Sequence, residues 1–121
     1  MPIKKILVVD DSPTERHCLN EILTKAGFQL VFAFNGEEGV AKARSEMPDL
    51  IVMDVVMPGL NGFQACRSIT QEETTKHIPI ILCTTKNQET DKIWAMRQGA
   101  KGYVTKPVDG GDLLKKIAAL G

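Results

Sequence analysis

Short apolar runs recur along the chain at residues 6–9, 30–34, 50–53, 78–83 and 102–104. Each has the length of a strand. Several are unbroken rather than alternating, as expected of parallel strands covered on both faces. Helical patterns lie between them. Ser12-Pro13-Thr14-Glu15 predicts a helix start: an N-cap serine, a proline at the first helical position and a glutamate three residues on form a capping box. Asn35-Gly36-Glu37-Glu38 and Asn61-Gly62-Phe63-Gln64 repeat that signal more weakly. The first helix is expected to turn Cys18, Leu19, Ile22, Leu23 and Ala26 to one face and to stop at Gly27. The fourth carries Ile93, Trp94, Met96 and Ala100, with Gly99 placed to end it, and the last carries Leu113, Leu114, Ile117 and Ala118.

Strand and helix thus alternate five times over residues 4–120, which predicts an α/β fold: a five-stranded, doubly wound parallel sheet joined by right-handed crossovers. Sites in such sheets lie beyond the carboxyl ends of the strands, near the point where the strand order reverses. The polar residues collect there. Asp10 and Asp11 follow the first run, Asp54 the third, Thr84 and Thr85 the fourth, and Lys106-Pro107 the fifth. Taken singly, each has a plain explanation: an aspartate pair as a turn or cap, Asp54 as a loop opener, the threonines as strand-end hydroxyls, Lys106 as a solvated charge. Their coincidence at one end of the sheet is what defeats that explanation.

Three carboxylates brought together repel, and a hard divalent cation relieves them; Mg²⁺ fits a set of carboxylates, carbonyl oxygens and water. An aspartate carboxylate can itself accept a phosphoryl group as nucleophile, with a metal and a lysine such as Lys106 neutralising the transferring charge.

Composition narrows the alternatives. A chain of 121 residues, 43% apolar and 25% charged, fits one soluble domain. Fifteen basic and fifteen acidic side chains leave no bulk field for nucleic acid, and no run is long enough to insert in a membrane. The opening Met1-Pro2-Ile3-Lys4-Lys5 is not a signal peptide. Cys18, Cys66 and Cys83 are widely spaced among apolar residues, which predicts three buried, reduced thiols and a cytoplasmic protein. His17 and His77 are isolated and make no metal cluster.

The chain resembles the response-regulator receiver family, of the chemotaxis-protein type, over essentially its whole length. The resemblance is carried by Val8-Val9-Asp10-Asp11-Ser12, by the run from Met53-Asp54 through Val55-Val56-Met57-Pro58-Gly59-Leu60-Asn61-Gly62, by Thr84-Thr85, by Gly99-Ala100 and by Tyr103-Val104-Thr105-Lys106-Pro107. It implies a flavodoxin-like (βα)5 receiver fold with Asp54 as phosphoacceptor. Asp10, Asp11, Asp54 and the backbone carbonyl of Val56 would hold Mg²⁺, Asp11 most directly. Thr84 would be the switch hydroxyl, Lys106 the phosphate-contacting lysine and Tyr103 the rotating aromatic. Family members usually have a cis peptide before the motif proline, here Lys106-Pro107, which composition alone does not establish.

By the same resemblance a histidine kinase is the phosphoryl donor. Thr84 and Lys106 would close on the phosphoryl group, and Tyr103 would shift toward the space Thr84 leaves, remodelling the face of the fourth helix, fifth strand and fifth helix where a downstream protein binds. Val56 and Lys86 occupy the positions that tune dephosphorylation, and the apolar Val56 cannot hold an attacking water. The segments Asn61-Gly62-Phe63-Gln64-Ala65, Thr84-Thr85-Lys86 and Gln88-Glu89-Thr90-Asp91-Lys92 are similar to single-domain receivers of type IV pilus, twitching-motility chemosensory systems. With the chain ending after the last helix, the expected organisation is one receiver domain, residues 1–121, with no output domain. It would be a signalling domain rather than an enzyme, acting through protein contacts in a chemotaxis-like or twitching-motility pathway, or else serving as a phosphate sink or pseudo-receiver.

Competing readings fit less well. A haloacid-dehalogenase-type hydrolase expects a second carboxylate two residues past its nucleophile, where Val56 stands, and room for a cap domain. A flavodoxin-like mononucleotide binder needs a first loop that welcomes phosphate, and this loop opens with two acids. A pseudo-receiver is disfavoured by the intact Asp10, Asp11, Asp54, Thr84 and Lys106. For Trp94, ordinary packing against the sheet or a neighbouring helix is preferred over a binding role.

Overall fold

The computed structural model describes residues 3–85 and 89–120. Five strands alternate with five helices: β1 (Lys5–Val9), α1 (Pro13–Lys25), β2 (Gln29–Ala33), α2 (Gly36–Glu46), β3 (Leu50–Asp54), α3 (Gly62–Gln71), β4 (Ile80–Thr84), α4 (Glu89–Arg97), β5 (Gly102–Thr105) and α5 (Gly110–Leu120). The strands form one parallel sheet in the order β2-β1-β3-β4-β5. This is the expected doubly wound sheet. The order reverses between β1 and β3.

Adjacent residues of a strand point to opposite faces, so each unbroken apolar run feeds two cores at once. Ile6 and Val8 pack with Leu19 and Leu23 of α1 and Leu113 and Ile117 of α5. Leu7 and Val9 pack with Ala43 of α2, Cys66 and Ile69 of α3 and Ala95 of α4. β3 and β4 are buried throughout, so the site at their ends rests on close-packed strands.

The helix starts form where the caps were expected, with one reversal of strength. Ser12 caps α1 by accepting from the Glu15 N–H, with Pro13 in the first helical position. The reciprocal capping box is at α3, however: Gln64 N–H donates to Asn61 Oδ1 at 2.9 Å, and Asn61 N–H to Gln64 Oε1 at 3.0 Å. Gly27 and Gly99 stand just past α1 and α4 with φ of +96° and +97°, the left-handed conformation that ends a helix.

Two expectations are corrected, one on α1 and one at the strand boundaries. Cys18 is exposed, because the inward stripe of α1 passes through Leu19 and Leu23 and leaves both Cys18 and Ala26 outside. On α4, Ile93, Trp94 and Met96 face outward at 49%, 48% and 50% exposure. The buried side of that helix is the small Ala95, which lets α4 sit close to the sheet and turns its large apolar residues to solvent. Trp94 still meets a neighbouring helix, lying edge-on to Phe63 with ring centroids 6.5 Å apart. Finally, β2 ends before Phe34 and β4 begins only after Pro79, which has no N–H to give the ladder.

The thiols make a direct check on burial. Loss of solvation pushes the Cys66 and Cys83 thiols up to about 12, so neither forms thiolate near neutral pH. Brief alkylation of the native protein at pH 8 is expected to add one group, at Cys18, and two more only after unfolding; intact mass reads both counts.

Candidate functional site

The register of the sheet brings the functional side chains to one edge. β1 runs beside β3, and β3 beside β4, with Val9 opposite Met53 and Asp54 opposite Cys83; Thr84 lies opposite Thr105. Asp10 continues straight off β1, its N–H donating to Ala33 O at 3.1 Å. Asp54 and Thr84 are the last residues of β3 and β4, and Lys106 is the first after β5, its N–H donating to Thr84 O at 2.7 Å. Asp10 and Asp54 therefore flank the reversal in strand order, where a doubly wound sheet opens a cleft.

Carboxylate oxygens of Asp10, Asp11 and Asp54 all lie within 4.8 Å of one another. Asp10 is fully buried, Asp54 nearly so, and Asp11 is exposed, so the cluster has two fixed members and one facing solvent. The ammonium of Lys106 lies 3.0 Å from Asp54 Oδ1 and 3.2 Å from Asp10 Oδ2, bridging the two buried acids. Asp10 Oδ1 accepts from the Ser12 N–H at 2.9 Å.

Among the described residues one ammonium faces three carboxylates, and the electrostatics follow. Burial pushes the Asp54 carboxyl above the usual carboxylate range, and the charges of Asp10 and Asp11 push the same way against the pull of Lys106. Burial would lower the Lys106 ammonium, but the hydrogen bond to Asp54 and the charges of Asp10, Asp54 and Glu15 outweigh it and hold its pKa above the ordinary value. Among the described residues the pocket is thus short of positive charge. Three hard oxygen donors converge where a small divalent cation would supply it, which is the donor chemistry that suits Mg²⁺. This is the one cluster of three or more acidic, histidine or cysteine side chains of that kind among the described residues.

The other expected residues are placed as follows. Thr84 is buried at 1% exposure on the same edge. Tyr103 is buried at 7%, with its hydroxyl pKa raised by burial and by the charge of Asp91. Val56 turns its side chain outward, 60% exposed. The Lys106-Pro107 peptide is cis. Lys86 lies outside the described residues, as does Gln88. Sequence reasoning passed over Arg16, which donates to the Asp10 carbonyl at 2.8 Å. Its signal is weak: a basic residue one turn past a helix cap.

Comparison with known proteins agrees with this geometry. Residues 6–118 match the response regulator receiver domain. The chain is 58% identical over 116 residues to protein PilH of Pseudomonas aeruginosa, covering 96% of each. It spans only 26% to 50% of the longer curated relatives. Among solved structures, the chemotaxis protein CheY4 of Vibrio cholerae superposes with a TM-score of 0.91 at 32% identity over 98% of this chain and 99% of that one. The receiver domain of the sensor histidine kinase PA1611 of Pseudomonas aeruginosa, with a magnesium ion coordinated in its active site cleft, gives 0.88 at 27% identity over 96% and 95%. No helix among the described residues is long and apolar enough to cross a membrane. With strand order, acidic edge and motif spacing all in agreement, the chain belongs to the response regulator receiver domain family.

Proposed function

We propose that this protein is a cytoplasmic single-domain receiver that takes a phosphoryl group onto Asp54 from a histidine kinase and passes the signal to a protein partner, in a twitching-motility or related chemosensory pathway. The observation that carries this reading is the convergence of Asp10, Asp11 and Asp54 around Lys106 at the reversal point of the sheet. The likeness to PilH supports the pathway.

Asp10, Asp11 and Asp54, with the carbonyl of Val56, are the residues that would hold Mg²⁺. When bound, the cation supplies positive charge that eases the repulsion among carboxylates and phosphoryl oxygens. A carboxylate oxygen of Asp54 attacks phosphorus, the bond from phosphorus to the donor's imidazole nitrogen breaks, and that nitrogen keeps the electron pair. Lys106 is positioned to follow the negative charge from the Asp54 oxygen to the phosphoryl oxygens. Thr84 closes on a second phosphoryl oxygen. Tyr103 couples that movement to the surface of α4, β5 and α5, where a cleft of about 370 Å³ is lined by Lys92, Met96, Tyr103, Lys116 and Leu120, among others. Val56 offers no group to orient water, which favours a phosphoryl group persisting long enough to signal.

Incubation with a small phosphodonor and Mg²⁺ should add one phosphoryl group by intact mass. Omission of Mg²⁺ or the change Asp54→Ala should abolish the gain; uptake by the folded Asp54→Ala variant would contradict the reading.

A further inference from the structure

The two acids that follow β1 are held very differently. Every polar part of Asp10 is engaged: its N–H donates to Ala33 O, Oδ1 accepts from Ser12 N–H, Oδ2 meets Lys106, and its carbonyl accepts from Arg16 Nη1 at 2.8 Å. Asp11 is exposed and makes no hydrogen bond of its own among the described residues. The backbone that carries its carboxylate is anchored through the peptide plane joining it to Asp10. The carbonyl of that plane is the one Arg16 grips.

The grip is braced. The Arg16 guanidinium lies 4.4 Å from the centroid of the Phe34 ring, a cation–π stack that fixes the plane of the fork. Phe34 is in turn tied to the start of α2, its N–H donating to Glu38 Oε1 at 2.6 Å. A continuous path of fixed groups thus runs from α2 through Phe34 and Arg16 to the Asp10–Asp11 peptide.

We infer that Arg16 is a positioning residue that presets Asp11 for the divalent cation, with Phe34 as its brace. The inference rests on the cation-site reading above and adds residues to it. Its sign is diagnostic. A guanidinium acting only through its charge would oppose a cation, so its removal would tighten Mg²⁺ binding. A positioning role requires the opposite, since loss of an outer partner of a metal ligand typically weakens affinity about 10-fold or more.

Calorimetric titration of the full chain with MgCl2 alone tests this. Arg16→Gln is expected to weaken Mg²⁺ binding about 10-fold. Arg16→Lys, which keeps the charge and loses the stacked fork, should weaken it in the same direction, and Phe34→Leu to a smaller extent. The double variant Arg16→Gln/Phe34→Leu should be no weaker than Arg16→Gln, because the brace acts only through the arginine. The apparent Mg²⁺ constant for phosphorylation should rise while the rate at saturating Mg²⁺ stays within about two-fold of the wild type. Arg44→Gln, which removes a guanidinium paired with Glu72 away from the site, should bind as the wild type does. Unchanged or tighter binding by a folded Arg16→Gln, with Asp11→Asn still impaired, overturns the inference and leaves the cation site standing. If Asp11→Asn binds as well as the wild type, the site reading itself falls and this one with it.

Discussion

Gly62→Ala is expected to destabilise the protein by about 3 kcal/mol or more, although a glycine at a helix start reads in the sequence only as part of a weak cap. A β-carbon on Gly62 would run into the carbonyl oxygen of Asp54 and sit 2.7 Å from the Val55 α-carbon. These are backbone atoms and cannot rotate away. The same segment is pinned by Gly62 N–H donating to Val55 O at 2.8 Å and by the Asn61–Gln64 capping box. Relief of the clash must therefore shift α3 or the end of β3, and β3 carries the phosphoacceptor. A thermal midpoint lower by roughly 10 °C, with slowed phosphoryl uptake in the fraction still folded, is the expected result. Gly110→Ala is the control. A β-carbon there meets only the Ile22 side chain at 3.4–3.6 Å, ordinary contact, so the gain in helix propensity should appear as up to about 1 kcal/mol of added stability. Equal effects of the two changes would refute the steric account.

The second large effect concerns Lys106. Its side chain is 10% exposed, and among the described residues its ammonium is the one cation between the two buried carboxylates of Asp10 and Asp54. Lys106→Met leaves both acids buried without it, which should cost about 3 kcal/mol at neutral pH and slow phosphoryl uptake on the order of 100-fold. The pH dependence has a definite sign. The Asp54 carboxyl is already above its ordinary range in the folded protein and rises further without the lysine. A carboxyl whose folded pKa lies above its unfolded one costs stability above that folded pKa. The cost is relieved as pH falls through the folded pKa toward the ordinary value. The deficit of Lys106→Met should therefore shrink on mild acidification. Adding Asp54→Asn should remove most of it at neutral pH. A deficit that grew on acidification, or that Asp54→Asn left untouched, would show that the lysine acts by packing instead.

Much of this was legible in the sequence, for definite reasons. Unbroken apolar runs mark strands buried on both faces, and a residue immediately after such a run has nowhere to go but the sheet edge. That rule alone brings Asp10, Asp54, Thr84 and Lys106 together. Periodicity was a poorer guide to which side of a helix faces in. On α1 apolar residues occupy more than one stripe, so Cys18 reads as buried although its better-spaced neighbour Leu19 takes the buried position, and on α4 it is the small Ala95 that faces in. The role of Gly62 was hidden because the atom it avoids belongs to a strand end eight positions earlier. Arg16 was hidden because its partner is a backbone carbonyl, to which sequence gives no clue.

The central claim is that Asp54, and neither of its acidic neighbours, carries the phosphoryl group. After incubation with a phosphodonor and Mg²⁺, hydroxylamine converts an aspartyl phosphate to a hydroxamate that peptide sequencing by mass spectrometry can place. The account predicts a hydroxamate at Asp54 alone, formed only when Mg²⁺ was present. A hydroxamate at Asp10 or Asp11, or none in a folded protein with Mg²⁺ supplied, would contradict it.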